Sequence, residues 1–346
     1  MPKKKLPEAA PTGAGAQGAT SYDVAELAGV SQSAVSRAFR KGASIAPKTR
    51  EKIMRAASQL GYQPNAFARG LITRRTNLVA VVISNLTNLY YPEVLAELTQ
   101  RLSEAGHRVL LFSLSSESEV DAVLGLIWPY RVDGAIVAAR LKDEQIRQFN
   151  DRGVPIILYN RVGEAEPAAS VCCDSAAGTR ELVRQLLAAG HRRFGIIAGP
   201  EDSYVGEERL ESARRHLAAA DIEPFLYRGG FDYRSGEEGL RALMEASGGA
   251  LDAVICTNDA MAMGAIDCAR ATYDLAIPER LSIVGFDGVG PATWGGYQLT
   301  TIRQPVRRMA QAAVDMLIER IEQPGMIPEQ RLFGGEFLPG RSARLG

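Results

Sequence analysis

Between residues 31 and 37 stand five small or fork-shaped polar side chains: Ser31, Gln32, Ser33, Ser36 and Arg37. The Arg37 guanidinium can present two N–H donors at once, the geometry that fits a guanine edge in a major groove. The hydroxyls of Ser31, Ser36 and Thr49 can donate to phosphate oxygens. A second set of polar groups is scattered along the chain: Asp174, Arg209, Asn258 and Asp287, with the aromatics Tyr90, Tyr91 and Phe231. Carboxylates, an amide and a guanidinium suit vicinal hydroxyls, and an aromatic ring covers the apolar face of a sugar or a flat base.

These residues need elements to hold them. Thr20-Ser-Tyr-Asp23 fits a capping box, with an acidic side chain three positions after a hydroxyl. Val24, Leu27 and Ala28 follow at helical spacing. Gly29 then stops the helix, because glycine takes left-handed backbone angles freely. Val30 can plug the gap before the next helix. Ser31 caps that helix, whose inner face is Ala34, Val35 and Ala38. Its outer face is Gln32, Ser33, Ser36 and Arg37. A third helix has Pro47 at its first turn, then carries Ile53, Ala56, Ala57 and Leu60, and closes at Gly61. Helix, glycine turn, helix is the helix-turn-helix, which offers the start of its second helix to base edges.

From residue 77 the pattern changes. Apolar runs at 78–83, 108–113, 133–138, 155–160, 194–199, 253–258 and 281–286 alternate with helical stretches at 92–105, 118–128, 175–189, 206–220, 235–247 and 259–272. Such alternation predicts parallel sheets covered by helices, and so many strands predict two lobes. Ligands of these sheets bind beyond the strands' carboxyl ends. Ser84-Asn85, Asn160, Asp174, Thr257-Asn-Asp259 and Asp287 all stand there.

Charge separates the two regions. Residues 1–76 carry 13 Lys/Arg against 4 Asp/Glu, a net of +9, while the other 270 residues carry 27 against 36, a net of −9. A basic head on an acidic body implies a polyanion partner for the head alone. Hydrophobic residues make up 46% and no apolar run approaches membrane-spanning length, so no membrane partner is expected. The Pro-, Gly- and Ala-rich start reads as a disordered tail without a secretory signal, which places the chain in the cytoplasm. The tail's G-x-G-x-x-G at residues 13–18 follows no strand and so marks no dinucleotide site. Cys172, Cys173, Cys256 and Cys268 lack metal-ligand spacing and read as buried free thiols. No catalytic residue, metal or cofactor is expected.

The motifs Tyr22-Asp-Val-Ala-Glu-Leu-Ala-Gly-Val-Ser31, Val35-Ser-Arg37, Lys48-Thr-Arg-Glu-Lys52 and Leu60-Gly-Tyr-Gln-Pro-Asn65 resemble the lactose/galactose repressor (LacI/GalR) family, and the likeness runs from about residue 20 to 342. The resemblance implies a transcriptional repressor acting as a homodimer on a near-palindromic DNA operator, under allosteric control by a small molecule such as a sugar. It implies that the segment from Asn65 through Arg69 to Leu71 is a hinge that turns helical on DNA, with Leu71 wedged into the minor groove. It places the effector on Arg209, Asn258 and Asp287, with Asp174 as a further carboxylate, Phe231 as the stacking aromatic and Tyr90-Tyr91 as an aromatic pair. Two departures stand out. Gln32-Ser33 differ from the base-reading pair of well-known members, and Asn88-Leu-Tyr-Tyr-Pro92 replaces the usual Asn-Pro-Phe-Phe. Ser203 and Val205 stand where purine-sensing relatives carry Arg and Thr, which argues against a purine.

The expected organisation is therefore multidomain: a tail (1–19), an all-α helix-turn-helix domain (20–64), a hinge (65–76) and an α/β body resembling a periplasmic binding protein (77–342). Its first lobe is expected at 77–174 plus 305–332, and its second at 175–302 plus 333–342. A free sugar-binding protein or an enzyme on the same fold is the alternative. The basic head speaks against the first, and the absence of nucleophile or metalloprotease motifs against the second.

Overall fold

A computed structural model of the chain describes residues 19–39, 43–63, 75–84, 86–114, 119–163 and 165–346. The expectations for the tail and for Asn65, Arg69 and Leu71 of the hinge lie outside the described residues. The chain divides into two compact units, Met1–Thr76 and Asn77–Gly346.

In the first unit, α1 (Ser21–Ala28), α2 (Gln32–Ala38) and α3 (Pro47–Gln59) enclose a small core. Thr20 and Asp23 form the reciprocal capping box, with the Thr20 N–H donating to the Asp23 carboxylate at 2.7 Å. Gly29 ends α1 at φ 61°, so the chain reverses there without the strain a side chain would meet. The core is Val24, Ala28, Val35, Ala38, Ile53, Ala56 and neighbours, with Phe39 and Tyr62 edge to face at 5.7 Å. Arg50 on α3 donates to the Ala38 carbonyl at 2.8 Å, tying the end of α2 to α3. Leu27 and Leu60 are 50% and 37% exposed, and Ala25 fills the place beside Val24. Helices this short approach closely through alanine, and the two leucines fall on the outer edge of the stripe.

The second unit is built on two parallel sheets. The first has the order β11-β5-β4-β3-β1-β2, made from β1 (Leu78–Ser84), β2 (Arg108–Leu114), β3 (Gly134–Ala138), β4 (Ile156–Tyr159), β5 (Ala169–Cys173) and β11 (Gln330–Phe333). The second has the order β7-β6-β8-β9, made from β6 (Phe194–Ala198), β7 (Phe225–Arg228), β8 (Ala253–Cys256) and β9 (Ser282–Val284). Helices α4 (Tyr91–Glu104), α5 (Val120–Ile127) and α6 (Asp143–Asp151) belong to the first lobe. Helices α7 (Ser175–Ala188), α8 (Tyr204–Ala218), α9 (Tyr233–Ala246) and α10 (Asp259–Tyr273) belong to the second. The antiparallel pair β10 (Thr301–Arg303) and β12 (Glu336–Leu338) carries the chain back, and α11 (Val306–Glu322) packs on the first sheet.

β1, β3, β4 and β6 are buried on both faces, which is why they read as continuous apolar runs, while β5, equally buried but interrupted by Ser170, is not among those runs. All four cysteines are buried and unpaired, and burial pushes the Cys172 thiol up to about 11 and Cys173 to about 12. Among the described residues no helix is long and apolar enough to cross a membrane.

Candidate functional site

Parallel strands stop at one edge, and the loops leaving them converge on a cavity of about 190 Å³. Ser84 ends β1, Asn160 follows β4, Asn258 follows β8, Asp287 follows β9 and Gln304 follows β10; all five line the cavity and all are buried. Arg209 enters from α8 and is 3% exposed. Its guanidinium meets the Asp287 carboxylate at 3.0 Å, donates to the Thr257 carbonyl at 2.7 Å and lies 3.8 Å over the Phe286 ring. Its helix neighbour Glu207 pairs with Arg228 instead.

The Asp287 carboxylate also accepts from the Gln304 amide at 2.8 Å, and Gln304 accepts from Asn160 at 2.8 Å. Asn160 donates to the Tyr90 hydroxyl at 3.2 Å and accepts from the Cys173 N–H at 3.0 Å. A single hydrogen-bonded chain thus runs from Tyr90 and Asn160 at the first sheet, through Gln304, to Asp287 and Arg209 at the second. Burial pushes the Asp287 carboxyl upward against the pull of Arg209, and pushes the Tyr90 hydroxyl up as well.

The aromatic walls have their own supports. Tyr90 and Tyr91 stack edge to face at 5.5 Å. Phe231 sits in the left-handed region at φ 65°, held there by the Asn258 amide, which donates to the Phe231 carbonyl at 2.9 Å. Gly199 and Gly206 face its ring, and a Cβ on Gly199 would have no room beside it. Asn258 also caps α10 through the Met261 N–H at 2.9 Å.

Of the residues expected around a ligand, Tyr90, Tyr91, Arg209, Phe231, Asn258 and Asp287 line this cavity. Asp174 does not: its carboxylate accepts the Ala177 N–H at 2.8 Å and caps α7. Residue 174 stands at a strand end, but a free helix N-terminus one step away takes the carboxylate. Gln304 and Arg161 line the cavity without having been singled out. Asn160 was legible as a polar residue directly after an apolar run. Gln304 follows a strand of three residues, too short to announce itself. Asp259 lies deeper, accepting from Thr301 at 2.6 Å and from the Val289 N–H at 2.9 Å, and burial raises its carboxyl to about 7.

In the first unit, Ser31, Gln32, Ser33, Ser36 and Arg37 are exposed along one side of α2, and Thr49 is half-buried in the first turn of α3. The Ser31 hydroxyl accepts the Ala34 N–H at 3.3 Å and lies 3.0 Å from Ser33 Oγ, while the Gln32 amide donates to Ser21 at 3.3 Å.

With both sites in view, the comparisons decide the kinship. A family model described as bacterial regulatory proteins, lacI family, matches residues 20–65, and one described as a periplasmic binding protein-like domain matches residues 183–343. The HTH-type transcriptional regulator CelR of Thermobifida fusca is 34% identical over 309 residues, covering 86% of this chain and 90% of that one. The chain belongs to the LacI family. Its members are DNA-binding transcriptional regulators and not enzymes. Among solved structures, a lac repressor dimer bound to operator and the anti-inducer ONPF superposes with a TM-score of 0.84 at 27% identity, covering 94% of this chain and 99% of that one. A CelR–cellobiose complex superposes with a TM-score of 0.71 at 30% identity, covering 94% and 100%. The fold of this LacI-family chain is thus a helix-turn-helix head followed by a periplasmic-binding-protein-like body.

Proposed function

We propose that this regulator is a repressor acting as a homodimer on a near-palindromic operator, and that a sugar or sugar derivative in the cleft controls its affinity for that DNA. The observation that carries the reading is the chain Arg209–Asp287–Gln304–Asn160. These groups leave N–H donors and carboxylate or amide oxygens around a small cavity, with Phe231 and Tyr90-Tyr91 as apolar walls. That is the chemistry that holds a polyhydroxylated ring. Cellobiose, the sugar in the related CelR complex, is of the same class.

A ligand hydroxyl entering here exchanges for bonds that already link the two sheets. Binding therefore changes how the lobes hold one another, which is the differential contact that allostery requires. On the DNA side, Gln32, Ser33 and Arg37 face base edges, while Ser31, Ser36 and Thr49 contact phosphates. Asn65, Arg69 and Leu71 serve as the hinge, with Leu71 as the wedge. One small head covers half a site, so the active species is a dimer. A protein that reads chromosomal operators works in the cytoplasm.

The test is capture of fragmented genomic DNA from the source organism at fixed, near-physiological salt, followed by sequencing. A few sharp palindromic peaks are expected, and the genes beside them supply sugars to titrate against the complex. Uniform, salt-sensitive enrichment would mean phosphate contact alone and would overturn repression by the ligand-free protein.

A further inference from the structure

The cleft cavity, about 190 Å³, is smaller than the roughly 300–1,000 Å³ usual for small-molecule sites. A second cavity, about 490 Å³, adjoins it, and Arg161, Asp202 and Ser203 belong to the walls of both. One wall of the second space is Leu141, Val162 and Gly163 from loops of the first lobe. The other is Tyr204, Glu208 and Glu211 from α8 of the second. An occupant would touch both lobes, as an occupant of the first cavity would.

The two spaces differ in chemistry. The inner one is balanced, with Arg209 against Asp287. The outer one is rich in carboxylates: Glu201, Asp202, Glu207, Glu208 and Glu211 against Arg140 and Arg161. Arg228 engages Glu201 and Glu207, Glu208 accepts from Ser175, and Asp202, Glu208 and Glu211 line the space as carboxylate acceptors. Burial pushes the Glu208 carboxyl up, so further negative charge is unwelcome beside it. Acceptors suit ligand hydroxyls, Tyr204 offers a ring face, and a phosphate would meet repulsion from several carboxylates at once.

We propose that the ligand is a neutral saccharide of at least two units: one ring fills the inner cavity, and the next occupies the space lined by Tyr204, Asp202, Glu208 and Glu211. The proposal rests on the sugar-effector reading and narrows it to uncharged di- or oligosaccharides, excluding sugar phosphates.

Calorimetry on the full chain tests it with D-glucose, D-galactose, cellobiose, maltose, lactose and glucose 6-phosphate. The expected result is that one disaccharide binds about tenfold or more tightly than its component monosaccharide. Tyr204→Ala and Glu211→Ala, both outside the inner cavity, should erase that margin and leave the monosaccharide affinity within about twofold, which also reports that the variants are folded. A monosaccharide that binds as tightly as every disaccharide would overturn the two-space proposal and leave the sugar reading intact. So would variants that weaken both classes alike, or glucose 6-phosphate binding best. No binding by any of the six would overturn the sugar reading and this proposal together.

Discussion

In the helical head, Gln32, Ser33, Ser36 and Arg37 stand exposed on α2 over a core of alanines and valines. In the cleft, Arg209, Asn258 and Asp287 are 3%, 1% and 5% exposed and are bonded to one another's loops. Both sets are polar, and both are proposed to meet a ligand. Their energetic settings are opposite. The head's polar residues keep their water until DNA displaces it, so they are free to change without cost to the fold. The cleft's have already lost their water, and each depends on its neighbours to offset that loss. Function and stability separate at these four head positions and are fused in the cleft; Ser31, which caps α2 and is also proposed to contact a phosphate, is the head's exception.

The sharpest test of that contrast is Asp287→Ala. It strands the Arg209 guanidinium at 3% exposure, and breaking a buried pair from one side costs about 3–5 kcal/mol. Urea unfolding followed by tryptophan fluorescence reads this in the body alone, since both tryptophans, Trp128 and Trp294, lie there. Arg209→Met with Asp287→Leu should cost less than either single change, because no charge is left unpaired. A single variant of native stability would break the comparison. Either variant, while folded, should keep DNA binding and lose the sugar response.

Burial also makes the cleft sensitive to pH. The Asp259 carboxyl is raised to about 7 by burial first and by Asp287 second. The folded state then holds a proton that the unfolded chain has released above its ordinary value near 4. The Asp259 contribution to the body's stability should fall as pH rises from about 4 to about 7, so the wild type should lose stability relative to Asp259→Asn over that range. A difference between the wild-type and Asp259→Asn urea midpoints that stays constant over this range would contradict the raised carboxyl.

Local chemistry was legible in the chain and long-range exchange was not. The Thr20–Asp23 box, Gly29 and Ser31 act within three residues of themselves, so the sequence carries the whole argument. Most doubly buried strands announce themselves as apolar runs, but β5 (Ala169–Cys173), interrupted by Ser170, does not. β7 does not, because it is a sheet edge with its first residues exposed, and β10 and β12 have three residues each. Asp174 shows the limit for the site: it stands after a strand, and its carboxylate caps α7 through the Ala177 N–H. Gln304 becomes visible only when β10 brings it 2.8 Å from Asp287, seventeen residues away in the chain.

In the head, Arg37→Ala should weaken binding to the captured operator by about 1–3 kcal/mol and relax preference at one base position, with helix content unchanged. Equal weakening on operator and random DNA would make Arg37 a phosphate contact, leaving Gln32 and Ser33 to carry the specificity. A loss of folding would break the contrast with the cleft from the head's side.

The smallest effect concerns the cap that starts α1. Thr20→Ala removes the hydroxyl that accepts the Asp23 N–H at 3.4 Å, a loss of typically about 1 kcal/mol. Thr20→Ser should restore it. Asp23 is held below the usual carboxylate range by the Thr20 N–H first and the Thr20 hydroxyl second. Its contribution is therefore fully present above the ordinary carboxylate value and is lost as pH falls through the lowered one. Hydrogen exchange over residues 20–39 of the full chain reads the opening directly: about fivefold faster exchange is expected for Thr20→Ala at neutral pH, while the tryptophan-monitored unfolding of the body stays where it was. Faster exchange in the head together with a shifted body midpoint would show that the two units share stability, and would end the separation on which the contrast depends.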